Sequence, residues 1–222
     1  MNMPLLVLGT TFLLGASLSA ADLTLKVAEK PPPKDLESSI CAKLQTKAVQ
    51  LLDGDKPVFE FWLSAEIPLA SIPASAANAL DAIKQATLLG AVAVSRDARD
   101  YRDDELRSGV YTMRFALQPQ DGNHLGTSEF SYFAVLTPAK IDTNPDGITD
   151  YKTLVKASSK ETSTDHPVIL SLRPASTDPG EFPKLNAPAP DHKSVRVKVP
   201  ARAGEEKADV TFELVYEGKG HK

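Results

Sequence analysis

The sequence predicts an all-β protein, an antiparallel β-sandwich of about nine strands with one or two short helices. Three observations carry that expectation. Apolar and polar residues alternate with a period of two in many short segments. Turn-forming dipeptides such as Asp-Gly separate several of these segments. The 222-residue chain holds a single cysteine, Cys41, so its fold rests on a hydrophobic core and not on internal disulfides. A chain of this length can bury such a core, and 42% hydrophobic with 24% charged residues is an ordinary globular composition.

The chain opens with "MNMPLLVLGTTFLLGASLSAA", which carries no charged side chain. An apolar run from Leu5 to Leu14 gives way to small residues, with Ser19 and Ala21 at the positions a signal peptidase reads. Residues 1–21 are therefore expected to be a signal peptide, cut before Asp22, and residues 22–222 a single secreted or periplasmic domain. The competing reading is a membrane anchor, but the run is short for a bilayer core of about 30 Å. No later stretch is apolar enough for a transmembrane helix, so none is expected in the mature chain. Cys41 lies too far past the run to be a lipidation site, and reads as a small, partly buried side chain.

Taken in order, "DLTLKV" aligns Leu23, Leu25 and Val27 on one face. Residues 47–52 and 57–63 follow as strands, joined at "DGDK", where Asp-Gly accepts the positive φ of a tight turn. Trp62 shares a face with Val58 and Glu60, as core or as a surface aromatic. Residues 88–94 form the next strand. "GVYTMRFAL" sets Tyr111, Met113, Phe115 and Leu117 against Val110, Thr112, Arg114 and Ala116. Strands are expected at 130–136 and 168–172, then in "SVRVKV" and "DVTFELVY", with "ARAGEE" (201–206) as their hairpin. Helices are expected in "DLESSICAKL" (35–44) and "SAANALDAIKQA" (75–86), the latter with Ser75 as a cap. Residues 173–193, with five prolines, read as an extended loop with little regular structure.

A net charge of −4 and the lack of a basic stripe argue against nucleic-acid binding. The charged run "SRDARDYRDDELRSG" (95–109) mixes both signs and reads as a solvated loop. Common catalytic signatures (G-x-S-x-G, H-E-x-x-H, a phosphate-cradling glycine loop, C-x-x-C) are missing, which points away from an enzyme.

Two segments carry candidate ligands. In "DTNPDGITD", Asp142, Asn144, Asp146, Ile148 and Asp150 occupy positions one, three, five, seven and nine of a calcium loop, with Gly147 at the bend. The same residue types also build turns without any ion. Those nine residues resemble the Asp-rich calcium repeats of the thrombospondin type 3 class, although Thr153 stands where a calcium hand has Glu. In "QPQDGNHLG", Asp121 and His124 would form a transition-metal site if the fold brought His166 to them. A plain turn at Asp121-Gly122 explains the segment equally well.

The runs "LLGAVAV", "DYRDDELRSGVYTMRFALQPQDGNHLG", "FAVLTPAKIDT" and "HPVILSL", between about residues 85 and 175, resemble a group of exported bacterial proteins with no established activity. The resemblance implies an exported β-sandwich. It also implies that the Gly109-Val110-Tyr111 strand start and the stretch from Asp121 to Gly126 belong to a shared pattern. The expected function is a binding or structural module with a carbohydrate or protein ligand. The alternatives are a metal protein or metal-dependent enzyme using Asp121, His124 and His166, and a calcium-stabilised adhesion or carbohydrate-binding module.

Overall fold

The computed structural model describes residues 23–99, 105–119, 130–161, 166–175, 180–189 and 192–218. The chain is mostly β. In order it forms β1 (Thr24–Glu29), α1 (Ser38–Cys41), β2 (Lys47–Asp53), β3 (Lys56–Leu63), β4 (Ile67–Pro68) and a 3-10 turn at Ala76–Ala82. Then come β5 (Leu88–Val94), β6 (Ala98–Arg99), β7 (Glu105–Leu106), β8 (Gly109–Leu117) and β9 (Tyr132–Pro138). α2 (Tyr151–Ser158) runs into a 3-10 turn, followed by β10 (Val168–Pro174), β11 (Lys184–Ala189), β12 (His192–Ala203) and β13 (Glu206–Glu217).

The expected two-sheet sandwich is replaced by one curled sheet shaped as a half-barrel. Its strand order is β1-β2-β3-β5-β8-β9-β10-β13-β12-β11, with β4 adding a short parallel pairing to β12. β6 and β7 form a separate small hairpin inside the charged run 95–109. The physical reason lies in the connections. Most strands pair antiparallel with a near neighbour in sequence, so the ladder never breaks into two layers. The sheet curls instead so that its concave face packs on itself: the Phe59 ring on β3 meets the Tyr216 ring on β13, centroids 5.7 Å apart. Register shifts help it bend, as at Leu88/Gly90 between β5 and β8. Gly90 is required there, because a side chain would run into the Trp62 carbonyl and come within 2.9 Å of Met113 Cε.

Alternation sorts the side chains as expected, but both faces are covered. The concave face buries Leu51, Phe61, Met113, Phe115, Val197 and Phe212, each contributing on the order of 2 kcal/mol. The segment from β4 through the 3-10 turn plugs it with Ile67 and Leu80. On the convex face, residues 36–44 cover Trp62 and Ala91, while Leu154 of α2 covers Ala116, Val135 and Ile169. Trp62 is thus core, with its indole N–H donating to the Lys30 carbonyl at 2.8 Å. Leu117, aligned with the core face by pattern, is 44% exposed because β8 ends there.

Several boundaries differ from expectation. The 35–44 helix shrinks to one turn, and the 75–86 helix becomes a 3-10 turn closed by Ile83 N–H on the Leu80 carbonyl. The strand expected at 130–136 begins at Tyr132. The proline-rich stretch 173–193 contains β11, an edge strand on β12. Both hairpin turns stand, with Gly54 and Gly204 at φ +59°. α2 was not anticipated. Asp150 accepts the Thr153 N–H and caps that helix, the role for which its position nine had suggested a calcium ligand.

Candidate functional site

The "DTNPDGITD" loop, a turn or a calcium loop by its residue types, is built around a guanidinium. Arg114 lies in the middle of β8 on the convex face, and its side chain is 1% exposed. All five of its N–H donors are used. Nε and Nη2 donate to the two carboxylate oxygens of Asp142, at 2.6 and 2.8 Å. Nη2 also donates to the Asn144 carbonyl at 2.8 Å, and Nη1 to the carbonyls of Ala86 and Pro145, both at 2.9 Å. Thr112, two residues back on the same face, donates its hydroxyl to Asp142 at 2.5 Å. A buried guanidinium is tolerable only when so fully partnered.

The remaining calcium candidates face elsewhere. Asn144 accepts the Asp146 N–H through Oδ1 at 2.9 Å, a local turn bond, and Asp146 is exposed. Ile148 packs its side chain into the cluster beneath α2. Asp150 caps α2, and the Thr153 amide holds its carboxyl below the usual range. Of the five, the structure brings Asp142 and Asn144 to one cation, and that cation is Arg114. Among the described residues no group of three or more His, Cys, Asp and Glu side chains is arranged to hold a metal. The sequence offered one clue to this clamp. An arginine amid the alternation of "YTMRFAL" implies a buried carboxylate somewhere, without saying which.

Asp121 and His124 lie outside the described residues. The strands flanking them face each other at Leu117 and Tyr132. His166 is exposed just before β10, at the other end, where Val168 faces Leu136. Tyr132 and Leu136 are four residue steps apart on β9, about 14 Å of strand.

That second end, where Tyr111 faces Pro138, carries a groove of about 250 Å³. Asp35, from the segment before α1, and Lys140, just after β9, bring opposite charges to it. Ser108, Gly109, Val110 and Ala139 supply much of the rest of its lining. The floor is fixed: Ala139 N–H donates to the Val110 carbonyl at 2.9 Å, and the Tyr111 hydroxyl donates to the Arg107 carbonyl at 2.9 Å. Cys41 packs half-buried against the neighbouring cluster, and burial pushes its thiol up, away from the reactive thiolate. Gly109-Val110-Tyr111 was singled out from sequence, whereas Asp35 and Lys140 were not. They are charged residues of connecting segments with no motif around them, and only the fold brings them to one groove.

No family model matches the chain, and no curated protein or solved structure is significantly similar to it.

Proposed function

We propose that this chain is an exported binding protein, processed before Asp22, whose groove at the start of β8 receives a small polar ligand. One observation carries the reading: the groove draws one of its two charges from a pinned loop. Lys140 precedes by two residues the Asp142 that Arg114 holds from both carboxylate oxygens. An anchored backbone fixes where the exposed Lys140 side chain starts, so a ligand has the side chain to order but not the loop. A volume near 250 Å³ lies just below the usual range of about 300–1,000 Å³ for ligand sites, so the occupant is small. Asp35 and Lys140 suit a molecule that offers both a donor and an acceptor. The uncharged leader with its small-residue cleavage pattern supports export.

The experiment is an amide NMR titration of the protein with a panel of monosaccharides and free amino acids. Binding in the groove moves the signals of Asp35, Ser108, Gly109, Val110, Tyr111, Ala139 and Lys140 together. Lys140→Ala then weakens that ligand roughly tenfold or more, the loss of one charge-assisted contact, without shifting the melting temperature. A panel that leaves those signals still, or moves only others, refutes the site. Fractionation of expressing cells with N-terminal sequencing tests the export half: protein outside the cytoplasm that begins at Asp22 supports it, and protein confined to the cytoplasm that begins at Met1 overturns it.

A further inference from the structure

A curled sheet that does not close leaves two edges, and here they differ. β11 carries Pro188 and a register shift between Asn186 and Ala189. A proline and a bulge are two of the devices, beside short strands and edge lysines such as Lys26 of β1, by which edges are kept from pairing with other chains. β1 has neither proline nor bulge. It matches β2 residue for residue from Thr24↔Leu52 to Glu29↔Lys47 without a shift.

The hydrogen-bond phase of β1 follows from its end. Lys30 N–H donates to the Thr46 carbonyl at 2.9 Å, and these two residues continue the same register. In an antiparallel pair, bonded and non-bonded positions alternate. Thr24, Lys26 and Ala28 therefore spend their backbone groups on β2. Leu25, Val27 and Glu29 aim theirs at an edge that no other described strand covers. Val27, in the middle, leaves its side chain 45% exposed.

From this we infer that β1 pairs antiparallel with β1 of a second copy, about a two-fold axis through Val27. Outward-facing residues must meet outward-facing ones, which restricts the registers. Centring on Lys26 sets that lysine against its own copy, and centring on Ala28 sets Lys26 against the partner's Lys30; like charges directly opposite are destabilising. Centring on Val27 sets Val27 against Val27, Leu25 against the partner's Glu29, Lys26 against the partner's Ala28 and Thr24 against the partner's Lys30. No like charges then face each other. Glu29 stays neutralised by Lys47 at 3.0 Å, and Lys30 by Glu60 at 2.7 Å. Six residues of edge bury much less than the roughly 800 Å² per partner of a standard interface, so the dimer is weak and forms with concentration.

The test is sedimentation equilibrium of the purified protein across a wide concentration range. The expected result is a mass that rises from monomer toward dimer. Val27→Pro removes an N–H that β2 does not use, and both copies lose it. It weakens self-association roughly tenfold or more while leaving the thermal melt in place. Single cysteines placed at 26, 27 or 28 in a Cys41→Ser background read the register independently of that variant's folding. Val27→Cys forms the disulfide dimer on mild oxidation, and Lys26→Cys and Ala28→Cys do not. A wild-type protein that stays monomeric throughout, Val27→Pro associating as strongly as wild type, or crosslinking through position 26 or 28 overturns the proposal.

Discussion

Arg114 and Arg196 are both arginines buried against one carboxylate, yet they hold different kinds of structure. Arg196 on β12 lies directly opposite Glu213 on β13 and donates to it through Nε and Nη2, at 3.1 and 2.8 Å. Ser194 donates to the same carboxylate at 2.8 Å, and Asn186 of β11 at 2.9 Å. This network ties an edge strand to a pair already joined by a backbone ladder. Arg114 reaches no carboxylate on its neighbouring strands. It gathers Asp142, the Asn144-Pro145 backbone and the Ala86 carbonyl, and so gives shape to chain that no ladder organises. Ala86 sits at φ +64°, a conformation that disfavours a side chain, and its carbonyl is one that Arg114 engages. In the ladder, then, a buried ion pair adds to order that exists without it. In the loop it joins local turn bonds, such as Asp142 N–H to the Pro138 carbonyl at 3.1 Å, and ties those turns to the sheet.

Breaking each pair should separate these roles. Arg114→Ala strands the Asp142 carboxylate in the interior, and the expected loss is about 3–5 kcal/mol in a denaturant midpoint. Fast amide exchange should appear across 139–150. A loss under about 1 kcal/mol would mean that the loop holds itself.

Glu213→Ala removes the hub of the second network. The Arg196 side chain, at 10% exposure, retains a path to water, and the ladder persists. The expected cost is smaller, about 2 kcal/mol, with faster exchange confined to β11. Equal losses for the two variants would erase the distinction.

A third contact sharpens the comparison by lying near the surface. The Tyr132 hydroxyl donates to Asp81 at 2.5 Å, and that bond, helped by burial, pushes the phenol up to about 12. A folded value above the unfolded one means that the contribution is whole below about pH 10 and is lost as pH rises toward 12. The stability difference between wild type and Tyr132→Phe should therefore hold steady at neutral pH and shrink from pH 10 to 12. A constant difference across that window would show that the bond does not govern the phenol.

Much of the fold was legible because alternation is a local property. "GVYTMRFAL" assigns Met113 and Phe115 to one face and Thr112 and Arg114 to the other without any knowledge of neighbours. Asp-Gly and Ala-Gly mark their turns for an equally local reason. What failed was non-local. Period-two patterning is the same whether a strand joins a second layer or extends a single curling sheet, so the sandwich could not be told from the half-barrel. α2 stayed hidden because "YKTLVKAS" is short and its cap, Asp150, lies in a run that also fits a calcium loop. The oxygens of "DTNPDGITD" fit a turn or a calcium loop by spacing alone, and spacing does not say that Asp142 and the Asn144 carbonyl engage a guanidinium 28 residues upstream of Asp142.

By itself the sequence determined that this chain is β-rich, which faces of its main strands are apolar, where two hairpins turn, and that a single arginine sits inside an otherwise uncharged strand. Only the tertiary structure decided that the strands share one curled sheet, that Arg114 takes Asp142, that Asp35 and Lys140 meet at one groove, and that β1 has no second neighbour among the described strands. The division has one cause. Steric and hydrophobic preferences act over a few neighbouring residues and are written in order along the chain. Pairing, curvature and the partners of a buried charge depend on which distant segments the collapse brings together.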